Sequence, residues 1–126
     1  MDERILFFFQ DNLNALPLYR EFEGRVCSEI ENVSVKVQKT QISFYNRHMF
    51  ACVSFAKVRK KSARPDSYIV ISFGLDYEVQ SPRIDVAAQV RPNRWTHHVL
   101  ISDPAEIDDE LMGWIREASD FSAAKR

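Results

Sequence analysis

The sequence predicts an α+β fold: an antiparallel sheet of five to six strands, with two amphipathic helices, N- and C-terminal, packed on it. Three observations lead there. Leu18, Phe22, Val26 and Ile30 recur every four residues, which is one buried helical stripe. From Asn32 onward the apolar period changes to two, the mark of strands. A second helical stripe, Ile107, Leu111, Trp114, Ile115 and Ala118, closes the chain.

Each element has its own local signal. Residues 2–10 allow a short helical turn, but Phe7, Phe8 and Phe9 in succession fit neither period, so this arm is expected to lie down on the core. Pro17 suits the first turn of the first helix, where a missing N–H costs nothing. Gly24 falls inside that helix and weakens it by about 1 kcal/mol relative to Ala, which a close approach to the sheet would explain. Val33, Val35 and Val37, then Ile42 and Phe44, alternate with polar neighbours as half-buried strands. Asn46 to His48 reads as a turn, and Met49 to Val58 is apolar on both faces, as a central strand is. Lys57 to Asp66 is polar, basic and interrupted by Pro65, an exposed loop.

Tyr68 to Leu75 returns to β-branched and aromatic residues. Ile84, Val86, Ala88 and Val90 alternate, stop at Arg91-Pro92-Asn93-Arg94, and resume as Trp95 to Ile101. Proline second and asparagine third in that tetrad suit a tight turn, so a hairpin is expected. The last helix carries a start signal: Asp103 as cap, Pro104 in the first turn, and Glu106 placed to reach back.

With 126 residues, 45% of them hydrophobic, the chain is expected to form one core, and residues 1–126 are read as a single domain. No repeat, low-complexity tract or linker argues otherwise. Seventeen basic residues nearly cancel eighteen acidic ones, so any pull on nucleic acid must come from a local patch. Cys27 and Cys52 form no C-x-x-C pair and no disulfide framework, which fits a reducing, cytoplasmic setting. The apolar run Ile5 to Phe9 is too short, and follows acids rather than bases, for a signal peptide. No stretch approaches the roughly 20 apolar residues that cross a bilayer, so no membrane partner is expected.

Chemical signatures are sparse. His97 and His98 are neighbours on a strand and point to opposite faces, so they do not share one metal ion. Adding His48, Cys27 and Cys52 gives no ligand spacing, and neither a metal nor a cofactor is expected. No nucleophile elbow nominates a serine or cysteine, and Gly24, Gly74 and Gly113 are too scattered to cradle a phosphate. Asp108, Asp109 and Glu110 read as the wet face of a helix near its positive end. Of two basic clusters, Lys57 to Arg64 is a solvated loop. The other gathers Arg83, Arg91 and Arg94 near Trp95, His97 and His98, combining fixed donors with a stacking plane.

Ser81-Pro82-Arg83-Ile84, then Pro92-Asn93-Arg94-Trp95-Thr96-His97-His98, resemble motifs of a bacterial family catalogued as a domain of unknown function and sometimes labelled a predicted transport protein. Lys39, Thr40, Ile42, Ser43 and Phe44 extend the resemblance, as does Ile107 to Ala118, so it covers residues 14–120, behind an N-terminal arm of residues 1–13. It implies the helix–sheet–helix order, in stand-alone proteins or at the end of larger ones, and brings no reaction or ligand. The basic loop and the long segment Asp76 to Arg94 depart from shorter members.

The leading expectation is therefore a non-catalytic binding or interaction module for an anionic small molecule or nucleic acid, met by Arg83, Arg94, Trp95, His97 and His98. The alternative is a hydrolase using His97 or His98 as general base beside Tyr45, Tyr68 or Asp85. A monomer is one expectation for its assembly, and a homodimer through a sheet edge or the Phe-rich arm is the other.

Overall fold

A computed structural model describes residues 2–125. Among them, α1 (Glu3–Phe8) is capped by Asp2, whose carboxylate accepts the Arg4 N–H, and α2 spans Leu16–Glu29. Six strands follow: β1 (Ser34–Val37), β2 (Gln41–Tyr45), β3 (Met49–Ser54), β4 (Ile69–Leu75), β5 (Val86–Arg91) and β6 (Arg94–Ile101). Helix α3 (Asp109–Ala124) closes the described chain, and short 3-10 turns lie at Leu13–Ala15, Lys61–Ala63 and Pro104–Glu106.

All neighbouring strands are antiparallel, in the order β1-β2-β3-β4-β6-β5. The long segment 76–85 produces the one break in sequential order. It carries the chain past the β6 position to the sheet edge, and the tight turn at Pro92-Asn93 then returns β6 beside β4. Asn93 sits at φ +58°, a left-handed conformation that asparagine tolerates better than most residues.

One face of the sheet meets the helices. Phe44, Ala51, Phe73 and His97 form a cross-strand row on it, each nearly inaccessible to water, and α3 lies over β3 and β4. Leu18, Phe22, Val26, Leu111 and Ile115, from the two predicted stripes, are buried, and Phe22 meets Phe44 edge-on at 5.4 Å. The arm lies down as expected: Ile5 and Phe9 are buried, and Phe8 stacks on Phe55. Gly24 is not explained by close approach, because a Cβ there would meet no atom within 4 Å.

The opposite face carries its own row: Lys36, Ser43, Cys52, Ser72, His98 and Val86 stand side by side across all six strands. This face is more enclosed than half-buried strands would give. Ser43, Val70 and Leu100 are buried on it. The loop after β3 is tied to this region by Arg59, whose Nε lies 2.6 Å from Asp85 Oδ1, while Asp85 Oδ2 accepts the Leu100 N–H at 2.7 Å.

The capping box at Asp103 and Glu106 forms as the sequence suggests, but it opens a 3-10 turn and not the helix. Ile107 leaves helical geometry (φ −85°, ψ 72°), and Asp108 restarts it by accepting the Leu111 N–H. One of the three carboxylates read as a wet face is thus the true cap of α3, and Trp114 is only partly buried, stacked on Phe73 at 5.9 Å.

Candidate functional site

The hairpin of β5 and β6 places the five sequence-nominated residues in three different environments. Arg83 is tied to the start of α3: Nη1 reaches Asp108 at 2.8 Å and Glu110 at 3.0 Å, and Nη2 donates to the Glu106 carbonyl at 2.6 Å. His97 is on the helix-facing side with no exposed surface, stacked on Phe73 at 4.9 Å, and its Nε2 accepts the Val79 N–H. Arg94, Trp95 and His98 share one cavity.

That cavity has a volume of about 420 Å³ and nineteen lining residues, of which three are Arg or Lys and none is Asp or Glu. The cations are Arg91, Arg94 and Lys125. Alternation explains the first two: the turn pairs Arg91 with Arg94, so both leave the sheet at the same end. Lys125 arrives at the end of α3, and the Phe121 ring holds it beside Arg94. The Arg94 guanidinium carbon and the Lys125 Nζ each lie 4.9 Å from that ring's centroid. Arg94 Nε is buried and, among the described residues, has no hydrogen-bond partner. Burial pushes the Lys125 ammonium below the usual lysine range, and the charges of Arg94 and Arg91 push it in the same direction. Like charges gathered without an acid between them repel, and an anion relieves that repulsion.

The floor is the polar row of the open sheet face. Ser72 Oγ lies 2.6 Å from His98 Nδ1, and β4 and β6 hold the two residues directly opposite each other. On the other side of Ser72 stands Cys52, across the β3–β4 pairing. Burial raises the Cys52 thiol, more than its hydrogen bond with Ser72 lowers it, so the thiol stays protonated at neutral pH. Burial also lowers His98, which keeps the imidazole neutral and able to accept a proton. One step along the same face, Gly74 pairs with Thr96, so the floor there lacks one side chain.

Of the residues nominated from sequence, Arg94, Trp95 and His98 line this cavity together with Arg91 of the same cluster, while Ser72, Cys52, Gly74, Thr96, Phe121 and Lys125 line it without having been nominated. A signal for Ser72 was present: a serine inside the apolar run Ile69 to Phe73 is a polar group in a buried strand. Phe121 and Lys125 had no such signal, because only the path of α3 brings them there. Of the hydrolase partners suggested by sequence, Tyr68 packs edge-on against Phe55, whereas Asp85 lies beside His98, its N–H donating to the His98 carbonyl at 2.9 Å while its carboxylate holds Arg59 and Leu100. Among the described residues no group of three His, Cys, Asp or Glu is arranged to hold a metal ion, and no helix is long and apolar enough to cross a membrane.

A family model described as "Domain of unknown function (DUF5655)" matches residues 7–122. Comparison with curated proteins and with solved structures gives no match.

Proposed function

The chain belongs to DUF5655, a family whose description carries no activity, and we propose that it is a binding module for a small organic anion taken into the cavity beside the β5–β6 hairpin. The observation that carries this reading is the convergence of Arg91, Arg94 and Lys125 on a cavity with no lining carboxylate. Its volume of 420 Å³ falls in the range that encloses small ligands, about 300 to 1,000 Å³. The anionic head meets the cations, and the body of the ligand lies along the floor past Thr96 toward Ser72 and His98, with Trp95 at the cavity margin. A net charge of −1 gives the protein no long-range attraction for a polyanion, which favours a small molecule over a nucleic acid.

Phenyl phosphate is a suitable probe, with benzyl alcohol as its neutral counterpart. In a Trp114→Phe background the emission of Trp95 reports the site. Phenyl phosphate is expected to change that emission saturably, with affinity falling as salt is raised to roughly 0.5 M. Arg94→Ala is expected to weaken it about tenfold, the loss of one charge-assisted contact. An equal response to benzyl alcohol, or none to phenyl phosphate, overturns the reading. Displacement of the probe by a short oligothymidylate at lower concentration replaces the small molecule with single-stranded nucleic acid.

A further inference from the structure

We propose that Ser72 is a nucleophile that accepts acyl groups, with His98 as its general base, and that its substrates are small esters bearing a second, anionic group. This rests on the anion-binding reading of the cavity and adds a reaction to it.

The geometry comes first. A nucleophilic hydroxyl needs a base within hydrogen-bond reach, and Ser72 Oγ lies 2.6 Å from His98 Nδ1. Both residues sit inside paired strands near the middle of the sheet, so the backbone ladder fixes the pair without help from a mobile loop. Such pre-organisation is what general-base catalysis uses.

The neighbours suit the roles. His98 is neutral because it is partly buried, and a neutral imidazole is the form that takes a proton. The Cys52 thiol stays protonated, so it does not compete as nucleophile. Gly74 leaves room beside Ser72 for an acyl group: even a Cβ there would come no nearer than 3.8 Å to the Trp95 carbonyl. Four residues of strand span roughly 13 Å, and Arg94 stands four positions from His98 on β6, so its extended side chain has to cover part of that distance. An ester whose carbonyl is at Ser72 therefore carries its charge toward Arg91, Arg94 and Lys125. The N–H groups of β4 and β6 serve the sheet, so the charge developing on the carbonyl oxygen falls to side chains, namely the Thr96 hydroxyl and the nearby cations.

In the step itself, Ser72 Oγ bonds to the ester carbonyl carbon as its proton passes to His98 Nδ1. The bond from that carbon to the alcohol oxygen then breaks, and His98 returns the proton to the departing alkoxide. Water, deprotonated by the same imidazole, bonds to the acyl carbon, the bond from that carbon to Ser72 Oγ breaks, and His98 returns the proton to Oγ, which releases the acid. No oxidant, reductant or further reactant is required.

The test uses 4-acetoxybenzoate and its neutral methyl ester on the full chain, with circular dichroism to verify folding of each variant. Wild type is expected to carry an acetyl group on the peptide containing Ser72 and to turn over the anionic ester at least tenfold faster than the neutral one. The rate should rise with pH through an apparent pKa below the ordinary histidine value. Ser72→Ala and His98→Gln should both lose the adduct and fall to the buffer rate. Acetylation only at Lys125 or Cys52, or unchanged turnover by Ser72→Ala, overturns the proposal. Phenyl phosphate binding with no acetylation of wild type removes the nucleophile and leaves the anion site standing. If neither occurs, both readings fall.

Discussion

His97 Nε2 accepts the Val79 N–H at 2.9 Å from inside the core, so a side chain of β6 anchors the segment that carries the chain past β6 to the sheet edge. This bond requires a neutral ring with its proton on Nδ1. That nitrogen is buried and has no partner in hydrogen-bond geometry among the described residues.

The consequence is a pH-dependent stability. Burial holds the His97 pKa below its ordinary value, outweighing the Phe73 carbonyl and Glu78, which favour the charged ring; His98 is lowered by burial as well. Between the folded and unfolded values the unfolded chain binds more protons, so stability rises with pH there. It is complete above the unfolded histidine value of about 6.5 and is lost as pH falls below it. Urea midpoints measured from about pH 7.5 to 5 should decline, and His97→Gln, which retains an acceptor for Val79, should flatten the decline. An identical slope in the variant shows that the His97 proton is not the cause.

Arg83 is expected to act on stability, since its guanidinium is engaged within the chain. Its guanidinium joins the segment before β5 to the Asp108 cap and the Glu106 carbonyl, and it lies 5.8 Å over the Trp114 ring. Arg83→Ala should cost about 1 to 2 kcal/mol in urea unfolding, discounted for partners that are half exposed. Phenyl phosphate affinity should be unchanged. A fall in affinity without a fall in stability would return Arg83 to the ligand surface.

Most of the fold was written in periodicity, because burial on one face of a helix or sheet leaves a regular trace in sequence. Leu18 to Val26 and Leu111 to Ala118 are buried as their spacing requires. What escaped was anything set by competition between local signals, such as the Asp103 box yielding the helix start to Asp108. The alternation at Val86 and Val90 also misleads: both are exposed at 39% and 66% because β5 is an edge strand, a fact of strand order that no single segment encodes. The site was half legible for the same reason. Arg94 and Trp95 are contiguous with His98, whereas Ser72 joins them through a pairing across 26 residues and Lys125 through the path of α3.

Asp85 fastens the basic loop. Its carboxylate accepts from the Leu100 N–H and from Arg59 Nε, so Asp85→Ala leaves a largely buried N–H without a partner and frees the loop. The expected cost is about 2 to 3 kcal/mol. Limited trypsin digestion should then cut at Lys57, Arg59, Lys60 or Lys61 much faster than in wild type, with the remaining sheet resisting. Equal cleavage rates would show that the loop is held by other contacts.

Ser122 links stability to the cavity. Its Oγ is buried, lies 2.5 Å from Asn46 Oδ1, and accepts the His48 N–H at 3.1 Å, which pins the last turns of α3 to the β2–β3 turn. Phe121 precedes it and Lys125 follows within one turn, so the same contact sets where the ring and the ammonium meet Arg94. Ser122→Ala removes the acceptor from a buried N–H and should cost about 1 to 3 kcal/mol. Because α3 can then shift at its end, phenyl phosphate affinity should fall severalfold although no cation has been removed. Loss of stability with full affinity would mean that Arg91 and Arg94 hold the anion without Lys125, and Lys125→Ala would then bind as wild type does.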